Sequence, residues 1–113
     1  MRVSGGYHPN KYRLHRRKLG NWKRLNDDDA LLNASLGLAG EAGEVIDHIK
    51  KWKYHGKGVD PHELLLELGD VYHYLDEIMH QFGYELSDVM EANHKKLLER
   101  AKLHEAFPSS KEE

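Results

Sequence analysis

The sequence predicts an all-α fold, a bundle of about four helices. Apolar residues recur at steps of three and four along two long stretches, recognisable caps bound those stretches, and no strand-type alternation competes with them. A chain of 113 residues is long enough for one core, and 39% apolar with 32% charged residues fits a soluble, charge-rich helical protein.

Residues 1–10 hold two glycines and a proline and read as irregular. A first helix is expected over Lys11–Lys23, interrupted at Gly20 and Asn21. The stretch Lys11–Arg24 carries seven Lys/Arg and no acid, with Tyr12 and Trp22 among them. It reads first as a solvated helix face or arm, and second as a patch for nucleic acid or phosphates. Asn26 to Asp29 supply N-cap candidates and first-turn acids, where the helix dipole favours negative charge.

A long helix is expected from about Asp28 to Trp52 or Lys53. Its apolar positions 38, 42, 45, 49 and 52 step by four and three, which is one helical face. Gly56 and Gly58 break the connection that follows. Asp60 can cap the next helix, Pro61 suits its first position and Glu63 completes a capping-box pattern. Its seam is Leu64, Leu68, Val71, Leu75, Ile78 and Phe82, and Gly83 stands where a stop belongs. Ser87 is expected to cap a last helix to about Leu103, with Met90, Leu97 and Ala101 on its seam. The organisation expected is a basic, partly helical segment 1–27, a helical domain 28–106 and a flexible polar tail 107–113.

Several functional classes are excluded. The chain has no cysteine, hence no disulfide, thiol nucleophile or thiolate metal site. No P-loop, G-x-S-x-G or dinucleotide fingerprint is present. No apolar run reaches the ~18 residues of a membrane span, and no apolar signal core opens the chain. No membrane partner and a cytoplasmic location are therefore expected.

The informative feature is an echo at an interval of 26 residues. "LAGEAGEV" (Leu38–Val45) aligns with "LLLELGDV" (Leu64–Val71), matching Glu41 to Glu67, Gly43 to Gly69 and Glu44 to Asp70. Each carboxylate precedes a seam residue by one position, so both pairs occupy the same angular strip beside the apolar face. Packed together, the two helices would bring four acids to one rim. Side chains at i and i+3 can reach one ion, and oxygen-only ligands suit Mg²⁺ or Mn²⁺. Gly43 and Gly69 either permit close helix approach or leave room for a ligand.

On the last helix, Asn93, Lys96 and Arg100 share a face and suit a polyphosphate. Lys50, Lys51, Lys53 and Lys57 either meet phosphates, with Lys51 the candidate, or decorate a helix C-terminus. Nine histidines include two E-x-x-H pairs, Glu77 with His80 and Glu91 with His94. That spacing is used by di-iron bundles, but His80 leaves the seam.

The stretch "LLNASLGLAGEAGEVIDHIKKW…ELLLELGDVYHYLDEI…LSDVMEANHKKLLER" resembles the MazG-type branch of the all-α nucleoside triphosphate pyrophosphohydrolases. The resemblance spans about Leu31 to Arg100. It implies Mg²⁺ ligands at Glu41, Glu44, Glu67 and Asp70, and nucleotide or phosphate contacts at Asn93, Lys96 and Arg100. It further implies hydrolysis of an NTP or dNTP to the monophosphate and pyrophosphate, in a homodimer or homotetramer. The basic opening segment departs from the branch's usual first helix. The expected function is thus a Mg²⁺-dependent pyrophosphohydrolase, with Glu44 the first choice to orient water. The alternative is a non-catalytic nucleic-acid or partner-binding module using the basic segment.

Overall fold

Local signals place the helix ends. A computed structural model describes residues 7–56 and 58–106. α1 (Pro9–Leu19) starts with proline at its first position, where a missing N–H costs nothing. It stops at Gly20, whose N–H donates to the Arg16 carbonyl at 2.9 Å. Asn21 takes the left-handed conformation (φ 62°) and turns the chain into a short 3-10 turn, Trp22–Arg24. The expected interruption at Gly20 and Asn21 is therefore the end of the helix.

α2 (Asp27–Tyr54) is capped by Asn26, whose side-chain oxygen accepts from the Asp29 N–H at 2.8 Å. α3 (Pro61–Gln81) is capped by Asp60, which accepts from the His62 and Glu63 N–H groups at 2.9 and 3.4 Å. Gly83, at φ 77°, ends it in a conformation that glycine adopts without penalty. α4 (Leu86–Ala106) begins one residue before Ser87. At its start the Asp88 carboxylate accepts from the Glu85 N–H at 2.8 Å, so the cap is Asp88's and not Ser87's.

The architecture is all-helical, with four α-helices and no strand among the described residues. It divides into two compact units, Met1–Gly83 with α1 to α3 and Tyr84–Glu113 with α4. The expected tail 107–113 lies outside the described residues. In the first unit α2 and α3 pack antiparallel: Gly37 meets Tyr74 while Glu41, one turn on, meets Asp70, one turn back. Trp22, Ala30 and Ala34 form the buried apolar cluster, and Tyr74 and Ile78 pack against it.

The seam expected on α3 is only partly buried. Leu68, Leu75 and Phe82 are 48%, 38% and 61% exposed, whereas Asp76 and Glu77 are 1% and 0% exposed. The physical reason is α1. Its arginines cover this part of α3, so the face of α3 that is most deeply buried is charged.

Arg13 grips Asp76 with three hydrogen bonds of 2.9–3.2 Å. Arg16 Nε donates to Asp76 at 3.0 Å and Nη2 to Glu77 at 2.9 Å. Arg17 donates twice to Glu77, and the Gln81 amide closes the far side of that carboxylate at 2.6 Å. The basic segment is thus no solvated arm over this length: it docks on α3 through a buried, hydrogen-bonded ion network. Tyr12 packs beside Tyr72 within the same contact, with ring centroids 5.7 Å apart.

The glycines divide differently from their sequence pattern. A Cβ at Gly37 would overlap the Tyr74 ring, so this glycine is what lets α2 and α3 approach. Gly40, Gly43 and Gly69 face open space, which removes close helix approach as the explanation for 43 and 69 within this chain.

Candidate metal centre

Glu67 and Asp70 stand one turn apart on α3, and Glu41 faces them from α2. Each offers a carboxylate oxygen, and these oxygens all lie within 4.8 Å of one another. Glu41 and Glu67 are half-buried and Asp70 is exposed. Glu67 Oε2 is shielded from solvent with no hydrogen-bond partner. A buried carboxylate oxygen without a donor is costly unless a cation approaches it. Partial burial, followed by the charges of Asp70, Glu67 and Glu44, pushes the Glu41 carboxyl above its ordinary range. Three converging carboxylates, one orphaned oxygen and no nitrogen or sulfur donor fit a hard divalent cation.

Glu44 is exposed and lies outside this trio, although its charge acts on Glu41. Asn93, Lys96 and Arg100 are all exposed along α4. Lys51 pairs with Asp47, one turn earlier on α2, at 3.0 Å. Such an exposed pair contributes little and opens readily to a better anion. Lys57 lies outside the described residues.

The di-iron spacing finds no support among the described residues. Glu77 is taken by Arg16, Arg17 and Gln81, and Glu91 pairs with Lys95 at 3.6 Å. The Glu41, Glu67 and Asp70 trio is the metal-capable cluster found among them.

Sequence periodicity missed two arrangements near the trio. One is the arginine network, whose only signal is an acid-free basic helix matched by adjacent acids, Asp76 and Glu77, some 60 residues later. The other joins Trp22 to His73: the indole Nε1–H donates to His73 Nε2 at 3.1 Å.

A family model described as dUTPase matches residues 13–112, nearly the whole chain. The chain belongs to the dUTPase family. This dUTPase family falls within the all-α NTP pyrophosphohydrolase superfamily, so the superfamily read from the sequence stands and the dUTPase family is named inside it. At this coarse level the chain is grouped with nucleoside triphosphate hydrolases of helical fold. It is also similar to the Gene 37 protein of Mycobacterium phage L5, 37% identical over 76 residues, covering 64% of this chain and 67% of that one. No solved structure matches it. The match begins at Arg13, so it includes the arginines that dock α1 on α3 as well as the acid trio. Among the described residues no helix of this dUTPase-family chain is long and apolar enough to cross a membrane.

Proposed function

We propose that this chain is a Mg²⁺-dependent pyrophosphohydrolase that converts a deoxynucleoside triphosphate, dUTP foremost, to the monophosphate and pyrophosphate. The observation that carries the reading is the convergence of Glu41, Glu67 and Asp70, with its orphaned Glu67 oxygen. The preference for dUTP comes from the family's description.

Glu41, Glu67 and Asp70 hold Mg²⁺, or Mn²⁺ in its place, and Glu44 completes the set from the adjoining turn of α2. The bound ion supplies charge neutralisation at the phosphates and a water of lowered pKa. Glu44, exposed beside the trio, accepts a proton from the attacking water. That water's oxygen bonds to the α-phosphorus as the bond to the bridging oxygen breaks and pyrophosphate leaves. Asn93, Lys96 and Arg100 bind sugar and phosphates, and Lys51 exchanges Asp47 for a phosphate oxygen.

Assembly as a homodimer or homotetramer belongs to the same reading. Ile49, Trp52, Leu68, Phe82, Met90 and Leu97 are 39–61% exposed, more apolar surface than an isolated chain ordinarily presents. A second copy would cover it. Of the seven basic residues behind the nucleic-acid alternative, Arg13, Arg16 and Arg17 are committed to Asp76 and Glu77, while Lys11, Lys18, Lys23 and Arg24 are exposed.

The test is turnover of dUTP and a panel of other NTPs and dNTPs with Mg²⁺, following monophosphate and pyrophosphate. dUTP is expected to turn over fastest, and no turnover on any nucleotide overturns the reading. Glu41→Gln and Glu67→Gln are each expected to lower the rate by at least ~100-fold, beyond the loss typical of groups that only support a ligand.

A further inference from the structure

We propose that the Trp22–His73 hydrogen bond is a pH-operated latch: a proton taken up from solvent at His73 Nε2 removes the acceptor and releases the 3-10 turn Trp22–Arg24 from α3. The indole Nε1–H can only donate, so the ring nitrogen it meets at 3.1 Å carries no proton while the bond exists. Protonation sets two N–H donors against each other at that distance. The bond is then lost, and one partner must withdraw.

Packing decides which one. His73 belongs to the 21-residue helix α3, and the Tyr74 ring stands edge-on to its imidazole at 4.9 Å. Trp22 belongs to a turn of three residues, entered through Asn21 at a left-handed φ of 62°. The turn is the weaker attachment, so Trp22 leaves. Its ring lies 5.7 Å from that of His73, and it is 5% exposed in the cluster with Ala30 and Ala34. Withdrawal of the indole therefore uncovers the first turns of α2. A Cβ at Gly20 would stand 2.8 Å from the indole nitrogen, so the glycine leaves that edge free to reach His73.

The charged groups bearing on the imidazole are Arg16 of α1 and Asp70, Glu77 and Asp76 of α3. The turn and α2 meet it and its partner with Trp22, Ala30 and Ala34, which carry no charge. Burial, followed by the Arg16 charge, outweighs the three carboxylates and holds His73 below its ordinary 6.5. The unfolded chain therefore takes up this proton first. The stability involved is complete above 6.5, is lost as pH falls below it, and levels off once folded His73 is protonated too. Glu77 stays charged until below 4.5, so the arginine network still holds α1 when the latch opens.

The test follows Trp22 in the full chain, in EDTA so that no metal ion near Asp70 shifts the imidazole. The chain has two tryptophans, and Trp52→Phe leaves Trp22 as the fluorophore. Between about pH 7.5 and about pH 5, across the ordinary histidine range, its emission is expected to shift to longer wavelength in one step. Circular dichroism is expected to stay constant over the same window. In the unsubstituted chain, NMR is expected to show His73 protonation and loss of the protected Trp22 indole N–H signal at one midpoint. His73→Gln, whose amide oxygen accepts from the indole at every pH, is expected to remove both changes. At the acid end, indole N–H exchange in the wild type should exceed that in His73→Gln at least about fivefold, the equilibrium weight of one such hydrogen bond. A Trp22 signal that stays flat while His73 titrates, or a step that persists in His73→Gln, overturns the inference. So does loss of helix content together with the fluorescence step, which would make the event unfolding and not the opening of a latch.

Discussion

Arg16 Nη2 lies 2.9 Å from Asp76 Oδ2 and 2.9 Å from Glu77 Oε1, and the three side chains are 2%, 2% and 0% exposed. One guanidinium thus joins two adjacent carboxylates of α3 in a site closed to solvent. Taking such charges out of water is expensive, and the arrangement is stable only because every carboxylate oxygen has a donor. Its consequence is registry: α1 can dock on α3 in one position.

Replacing Arg16 by Met should therefore destabilise the fold by about 3–5 kcal/mol, the usual loss when one partner of a buried pair is removed. Lys95→Ala, at an exposed pair, should change stability by less than ~1 kcal/mol. Urea unfolding of the two variants checks the contrast.

The same network sets the acid limit of stability. Burial pushes Glu77 up, but hydrogen bonds from Arg17, Gln81 and Arg16 outweigh it and hold the carboxyl below its ordinary 4.5. A carboxyl lowered by folding contributes stability that is complete above the unfolded value and is lost as pH falls through the folded one. Thermal melts should therefore fall steeply below about pH 4.5. The slope in that window should be shallower in Glu77→Gln, whose absolute stability is lower throughout.

Glu41 has the opposite sign. Its carboxyl is raised on folding, so the trio opposes folding as pH rises above the ordinary 4.5. Metal-free Glu41→Gln should accordingly melt higher than metal-free wild type near neutral pH. Saturating Mn²⁺ should raise the wild-type midpoint and leave the variant nearly unmoved. At 100 times the dissociation constant the expected gain is about 2.7 kcal/mol.

Glycine substitutions on α2 should divide by position. Gly37→Ala meets the Tyr74 ring and should cost about 1–3 kcal/mol through overpacking. Gly40→Ala faces open space in a helix interior and should stabilise by about 0.5–1 kcal/mol. Paired thermal melts would show opposite shifts.

The sequence by itself determined the helices and the phase of the acids. Period and caps depend on neighbours within a few residues, so Asn26, Asp60, Pro61 and Gly83 act in the structure much where their local chemistry puts them. The spacing of Glu67 and Asp70 is likewise fixed by helical geometry. Which faces meet depends on contacts between residues tens of positions apart, and only the tertiary structure decided that. It put Arg16 against Asp76 and Glu77, turning a basic stretch into a docked helix. It made Gly37, not Gly43, the point of closest approach. It also brought Trp22 to His73, because a buried indole N–H must find an acceptor and α3 presents one.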